Sequence, residues 1–222
     1  KQIQAEFSQV LGVNHIHFEQ KTGHPTRINC ISLTGNQVLH EKINDLTFRI
    51  SPLSFFQTNS TQVGVLYDII KQACACKSNH TLLDLYCGTG SIGISVAHGQ
   101  CQLIGIDEID AAIQDARLNA SHNHIHNATF ITGRVKNILK FHSFSPDCIV
   151  IDPPRSGMVP KALQRVIDCK SPRIVYVSCN PSTLLRDLKQ FADHGYHASS
   201  LIPVDMFPHT YHLECVVTLK LN

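Results

Sequence analysis

The stretch Asp84-Leu85-Tyr86-Cys87-Gly88-Thr89-Gly90-Ser91-Ile92-Gly93 contains G-x-G-x-x-G between an apolar run and a helical pattern. That arrangement lets a backbone turn tightly against a bound ligand. Asp107 closes the next apolar run, where a carboxylate can accept the hydroxyls of a ribose. Two cofactor classes share this layout. A dinucleotide places its pyrophosphate on the helix N-terminus and disfavours negative charge there. S-adenosylmethionine (SAM) has a cationic sulfonium and an amino group, so a carboxylate close to the loop suits it, and Asp84 is one. A strand–helix turn with no ligand is the plain alternative.

Three further residues have the types that acid–base or nucleophilic chemistry needs. Asp152 heads Asp152-Pro153-Pro154-Arg155 directly after the apolar run that ends at Ile151. Cys179 follows Ile174–Val177 and precedes Asn180-Pro181, which stop a strand and start a helix. A helix N-terminus, with Arg155 or Arg186 nearby, would favour the thiolate, the nucleophilic form. The other reading is a small buried residue, the commoner fate of a cysteine. Glu214 enters the last apolar run at Cys215-Val216-Val217. There desolvation would raise its pKa toward that of a usable base, unless it sits on an exposed edge.

These residues must be held by something regular. From residue 51 onward, apolar runs alternate with helical patterns. Strands are expected at Leu82–Tyr86, Gln102–Ile106, Ala128–Ile131, Cys148–Ile151, Ile174–Val177, Ser199–Val204 and Cys215–Leu219. Helices are expected near 61–76, 91–98, 109–121, 134–140, 160–168 and 182–193. Strands separated by such helices form right-handed βαβ units and a parallel sheet. The connection Asp205–Glu214 is too short for a crossover helix, so the last pair should be antiparallel. The fold class is therefore α/β, a Rossmann-like, mostly parallel sheet with an antiparallel last strand. In such sheets ligands bind at the strands' carboxyl ends, the edge on which Asp107, Asp152 and Cys179 all fall. Residues 1–50 read differently. A helix-like start, Gln2 to Leu11, precedes alternating stretches Thr26–Leu33 and Val38–Ile43 around a Thr34-Gly35-Asn36 turn, with Leu46–Ile50 as a further strand. The expected division is a β-rich segment, 1–50, and a catalytic domain, 51–222.

Composition narrows the function classes. Of 222 residues, 43% are hydrophobic and 16% charged, which fits a globular protein rather than a disordered one. No apolar run approaches the ~20 residues that span a bilayer. The net charge of +2 permits a nucleic-acid partner without demanding one. Nine cysteines, odd in number and several within apolar segments, fit reduced thiols and a cytoplasmic setting. The Cys74-Ala75-Cys76 pair has no second pair at zinc spacing, and His122, His124 and His126 lie in a polar stretch, so no metal is expected. The chain begins with Lys1 and carries no visible targeting signal, and nothing in it points to an oligomer beyond a monomer.

Five stretches together resemble the SAM-dependent RNA 5-methyluridine (uracil-C5) methyltransferases of the class I methyltransferase superfamily. They are Ser51–Asn59 (SPLSFFQTN), Asp84–Gly90 (DLYCGTG), Asp152–Gly157 (DPPRSG), Tyr176–Leu188 (YVSCNPSTLLRDL) and Asp205–Val216 (DMFPHTYHLECV). The resemblance implies SAM as cofactor and an RNA partner, either transfer RNA or large-subunit ribosomal RNA. It implies Cys179 as nucleophile and Glu214 as base, with Gln57, Tyr86, Asp107 and Asp152 at the cofactor pocket. Gln57 and Asp152 would also approach the uracil. Phe55, Phe56 and Tyr211 are candidate stacking partners, and Arg155 and Arg186 candidate phosphate or O4 contacts. Asp107 stands where the family more often has Glu, and residues 1–50 resemble the family only loosely. Two other readings compete: methyl transfer to an exocyclic nitrogen, which leaves Cys179 and Glu214 without roles, and a non-catalytic RNA-binding module.

Overall fold

The computed structural model describes residues 2–19, 27–98 and 101–222. The first part holds α1 (Gln2–Glu6), β1 (Gly12–Glu19), β2 (Arg27–Gly35), β3 (Leu39–Ile43) and β4 (Leu46–Ile50). Then come α2 (Ser60–Cys74), β5 (Thr81–Leu85), α3 (Ser91–Ala97), β6 (Gln102–Asp107), α4 (Asp110–His122), β7 (Ala128–Thr132) and α5 (Val135–Phe141). The chain finishes with β8 (Cys148–Ile151), α6 (Pro160–Asp168), β9 (Arg173–Ser178), α7 (Pro181–Ala192), β10 (Tyr196–Val204) and β11 (Glu214–Leu221).

Seven strands form one sheet in the order β10-β11-β9-β8-β5-β6-β7. From β5 the chain steps outward through β6 to β7, then crosses back to β8 and β9. This reversal opens a crevice at the carboxyl ends of β5 and β8. The central pairs are parallel, whereas β11 runs antiparallel to both β9 and β10, as its short connection requires. The expected α/β class is the observed one.

Both faces of the sheet are covered, which is why its strands read as unbroken apolar runs. Val150, Val175, Val177 and Val216 face a layer containing Leu66, Ile70, Ile94 and Ile113 from α2, α3 and α4. Ile149, Ile151, Ile174 and Tyr176 face Leu139, Leu163, Val166 and Phe191 from α5, α6 and α7. Alternation along β5 places Leu83 and Leu85 on the second face and Leu82 on the first. Asp84 shares parity with Leu82, so its carboxyl points under α3 and is fully buried.

The N-terminal strands pair otherwise than the alternation predicted. The stretch after Thr34-Gly35-Asn36 does not return along β2. Instead β2 pairs antiparallel with β1, and β3 with β4. The two histidines and the asparagine in Gly12–Glu19 hid β1 from a hydrophobic reading, and Asn44 supplies the turn between β3 and β4 with a left-handed φ of 52°. Thr26, the expected start of a strand, lies outside the described residues. Ile43, Leu46 and Phe48 join the core on the α2–α4 face.

One polar column fastens β4 to that face. Asp115 and Asn119 lie on successive turns of α4, and Asn123 caps its C-terminus. Asn123 Oδ1 accepts from Thr47 N at 2.9 Å, and its Nδ2 donates to Thr47 O at 2.8 Å. Asn119 makes the same pair of bonds with Arg49. The buried Asp115 carboxylate pairs with the Arg49 guanidinium and accepts from Ser51 N, Ser51 Oγ and Ser54 Oγ. The segment that leads to Gln57 is held by this column.

Candidate active site

The strand ends converge on a cavity of about 640 Å³, lined among others by Gln57, Tyr86, Asp107, Asp152, Cys179 and Glu214. All six site residues singled out in the sequence are thus brought together. After β5, the chain turns with Tyr86 at φ 63° and Gly88 at φ 53°. Gly90 N donates to Cys87 O at 2.8 Å and Cys87 N to Ile106 O at 3.1 Å, which fixes the loop against β6. Asp107 holds it from the other side, with Oδ2 accepting from Gly88 N at 3.0 Å and Oδ1 from Ile109 N at 2.9 Å.

A side chain at Gly88 would meet no atom within 4 Å, because the loop faces open cavity there. Gly93 is the opposite case: a Cβ would lie 2.6 Å from Asp84 Oδ2 and 2.7 Å from Leu103 Cδ1. The first glycine therefore leaves room for a ligand, and the third lets α3 pack on the sheet. Asp84 does not reach the cavity, contrary to the expectation that it would sit beside a sulfonium. Its Oδ2 accepts from Gly93 N at 2.9 Å beneath the loop, and burial pushes its pKa up to about 8. Asp107 and the apolar Ile109, Val135 and Ala162 are among the residues that line the cavity, a combination that suits the ribose and base of a nucleoside cofactor. Enclosure also pushes the Tyr86 hydroxyl up to about 12.

The other three residues meet through sheet register. Antiparallel pairing puts Cys215 opposite Ser178, so Glu214 comes level with Cys179. Parallel pairing of Ile151 with Tyr176 brings Asp152 alongside on the neighbouring strand. Glu214 is only 3% exposed. Burial, then the nearby Asp152, push its pKa up to about 8. Enclosure alone pushes Asp152 up to about 7. Cys179 is half-buried, and its thiol is raised rather than lowered: desolvation acts first, then Glu214 and Asp152, and Arg155 only partly opposes them. The expectation of a thiol already shifted toward thiolate is therefore corrected. The α7 N-terminus that follows is capped internally, with Asn180 Oδ1 accepting from Ser182 N at 3.1 Å.

Other sequence candidates separate. Phe55 lines the cavity and is 71% exposed, and Tyr211 is 90% exposed. Phe56 instead packs against the buried Phe48, ring centroids 6.1 Å apart, and is no free stacking partner. Arg155 lines the cavity; Arg186 does not. The Arg186 guanidinium donates to Ser156 O and Met158 O, each at 3.1 Å, and pairs with Asp187. It clamps the Asp152–Gly157 loop onto α7. Asp187, 1% exposed, completes that clamp by accepting from Tyr176 Oη at 2.6 Å and Met158 N at 2.9 Å. Sequence reasoning passed over Asp187, although an acid on the apolar side of a helix was a signal. It also passed over Arg134 and Lys136, which add cations to the cavity rim.

Among the described residues no group of three or more His, Cys, Asp or Glu side chains is placed to hold a metal ion, and no helix is long and apolar enough to cross a membrane.

Comparison with known proteins agrees with this geometry. The family model for tRNA (uracil-5-)-methyltransferases matches residues 129–222, and a general methyltransferase domain model matches residues 82–170. An uncharacterized RNA methyltransferase of Caldanaerobacter subterraneus is 44% identical over 85% of this chain and 42% of its own length. One from Oceanobacillus iheyensis is 41% identical over 100% of this chain and 50% of its own. The chain thus spans about half the length of these relatives. Among solved structures, the tRNA (uracil-54, C5)-methyltransferase of Pyrococcus abyssi in complex with S-adenosyl-L-homocysteine superposes with a TM-score of 0.74. It is 34% identical and covers 84% of this chain and 45% of that one. Trm5b of the same organism, 12% identical with a TM-score of 0.71, shares the fold. Sheet order, glycine loop and relatives agree: the chain has the class I methyltransferase fold and is similar over most of its length to SAM-dependent RNA methyltransferases.

Proposed function

We propose that this protein transfers a methyl group from SAM to C5 of a uridine in structured RNA, transfer or ribosomal, through a covalent adduct between Cys179 and C6. The observation that carries the reading is the register that sets Glu214 level with Cys179 inside a cavity shared with Asp152. Methyl transfer to an exocyclic nitrogen would need neither the thiol nor the glutamate.

Uracil C5 is a weak nucleophile. Attack by the Cys179 sulfur on C6 moves the ring electrons toward O4 and makes C5 electron-rich. The cofactor supplies an electrophilic methyl group. Once C5 bears that methyl, Glu214 removes the remaining C5 proton, the C5–C6 double bond reforms and the sulfur leaves. Burial raises both groups, so this sequence of steps requires Cys179 to release its thiol proton to solvent as the sulfur bonds C6, and Glu214 to be ionised before it accepts the C5 proton. Asp152 and the buried Gln57, both lining the cavity, would hold polar edges of uracil or cofactor, and Asp107 and Tyr86, which also line it, would hold the cofactor. The base must leave its stack to enter. Residues 51–222 are proposed as the catalytic unit, in a cytoplasmic setting that suits nine free cysteines.

The test is Glu214→Gln with RNA and SAM. Proton removal fails, so a covalent protein–RNA species should accumulate, and it should vanish when Cys179→Ala is added. Methylation that survives Cys179→Ala, with no adduct in either variant, would overturn the proposal.

A further inference from the structure

We infer that Tyr211 and His212 form a stacking ledge at the mouth of the cavity, which takes the nucleobase adjacent to the uridine that enters it. The inference rests on the RNA reading above and adds a surface that the chemistry itself does not use.

The ledge is built by the segment between β10 and β11. Thr210 pins it: its Oγ1 donates to Phe207 O at 2.7 Å and accepts from His212 N at 3.2 Å. The His212 ring meets the edge of Phe207 at 6.0 Å and 75° and lies 4.2 Å from the Tyr211 ring at 46°. Its Nδ1 lies 3.3 Å from Arg155 Nη2. Arg155 is fixed in turn, since its carbonyl accepts from Asn180 Nδ2 at 3.0 Å and Thr183 Oγ1 at 3.2 Å. One residue therefore links the loops that bear Asp152, Cys179 and Glu214.

Tyr211 stands at the outer end of this pinned set. At 90% exposure it contributes little to the core, yet the ring against His212 is backed by a chain of contacts that runs to the cavity wall. A supported aromatic face of this kind binds flat rings, and every nucleobase offers one. When a uridine swings out, its neighbour loses a stacking partner that such a ring replaces. Lys136 and Arg155 also line the cavity to which the ledge is joined and offer cationic contacts to a phosphate, whereas Arg134 pairs with Glu108 at 2.9 Å.

The probe is a hairpin RNA with a uridine in its loop and 2-aminopurine placed on either side of that uridine in turn. It is mixed with the protein saturated with S-adenosylhomocysteine. Stacking on Tyr211 should quench one of the two labels. Tyr211→Ala should abolish that quenching and weaken RNA binding about tenfold. Tyr211→Phe should restore both. Melting temperature and S-adenosylhomocysteine affinity should stay unchanged throughout. Wild-type quenching and affinity in Tyr211→Ala would overturn the inference, including the case in which a protein partner covers Tyr211 instead. Failure of the RNA reading looks different: Glu214→Gln with Tyr211 intact would trap no RNA.

Discussion

Asn119 holds Arg49 as a neighbouring strand would, accepting from its amide at 2.6 Å and donating to its carbonyl at 3.1 Å. The same Nδ2 donates to Thr89 O in the glycine loop at 3.1 Å. One side chain on α4 thus joins the segment leading to Gln57 with the glycine loop at the cavity. Asn119→Ala leaves three backbone groups without this partner and should cost about 2–3 kcal/mol. Urea denaturation with an unchanged slope and a lowered midpoint would show it.

Glu214 gives stability a pH dependence. Its carboxyl holds a proton more tightly in the folded chain, with a pKa near 8 against an ordinary 4.5. The stabilising contribution is full below about pH 4.5 and drains away as pH rises through about 8. Glu214→Gln does not titrate, so it should match the native chain at pH 5 and exceed it at pH 9, by on the order of 2–4 kcal/mol. Thermal melts at the two pH values give the comparison.

Gly88→Ala and Gly93→Ala should fail in different ways. At Gly88 the methyl enters open cavity, at the cost of about 1 kcal/mol for its left-handed backbone. Folding should survive, and S-adenosylhomocysteine affinity by calorimetry should fall at least tenfold. At Gly93 the methyl meets Asp84 and Leu103, so the melting temperature should drop.

Tyr176→Phe removes one donor from the buried Asp187 carboxylate under the Asp152–Gly157 loop. A loss of about 1–2 kcal/mol is expected, together with slower methyl transfer at saturating RNA. Gly157→Ala strikes the same clamp from above. Its Cβ would lie 2.6 Å from Arg186 Nη2 and 2.8 Å from Asp187 Oδ2, at a φ of 72°. If turnover in both variants equals that of the native chain, the clamp does not position Asp152.

The sheet was legible in the sequence because its strands are buried on both faces and read as continuous apolar runs. The helices between them were legible from their 3.6-residue pattern. Residues at carboxyl ends, such as Asp107, Asp152 and Cys179, followed from topology alone. What stayed hidden depends on side chains acting at a distance. β1 escaped because His15 and His17 break its hydrophobic alternation. Asp84 looked like a cofactor ligand because only its place in the loop was visible, and strand parity sent it under α3 instead. Arg186 looked free for RNA, yet its partners are backbone carbonyls some 30 positions away. The direction of the Cys179 shift turns on the exclusion of water, which spacing does not encode.

Asp152 and Glu214 share a further consequence. Both line the cavity with carboxyls raised to about 7 and about 8, so each should carry a proton for part of the time near neutrality. A positively charged methyl donor entering the cavity should drive protons out, whereas the demethylated product, one charge less positive, should let them return. The donor's affinity should therefore climb relative to the product's as pH rises from 6 to 8.5, measurable by calorimetry in buffers of different ionisation heat. Exchange of spent for fresh donor in that pocket should then follow solvent acidity.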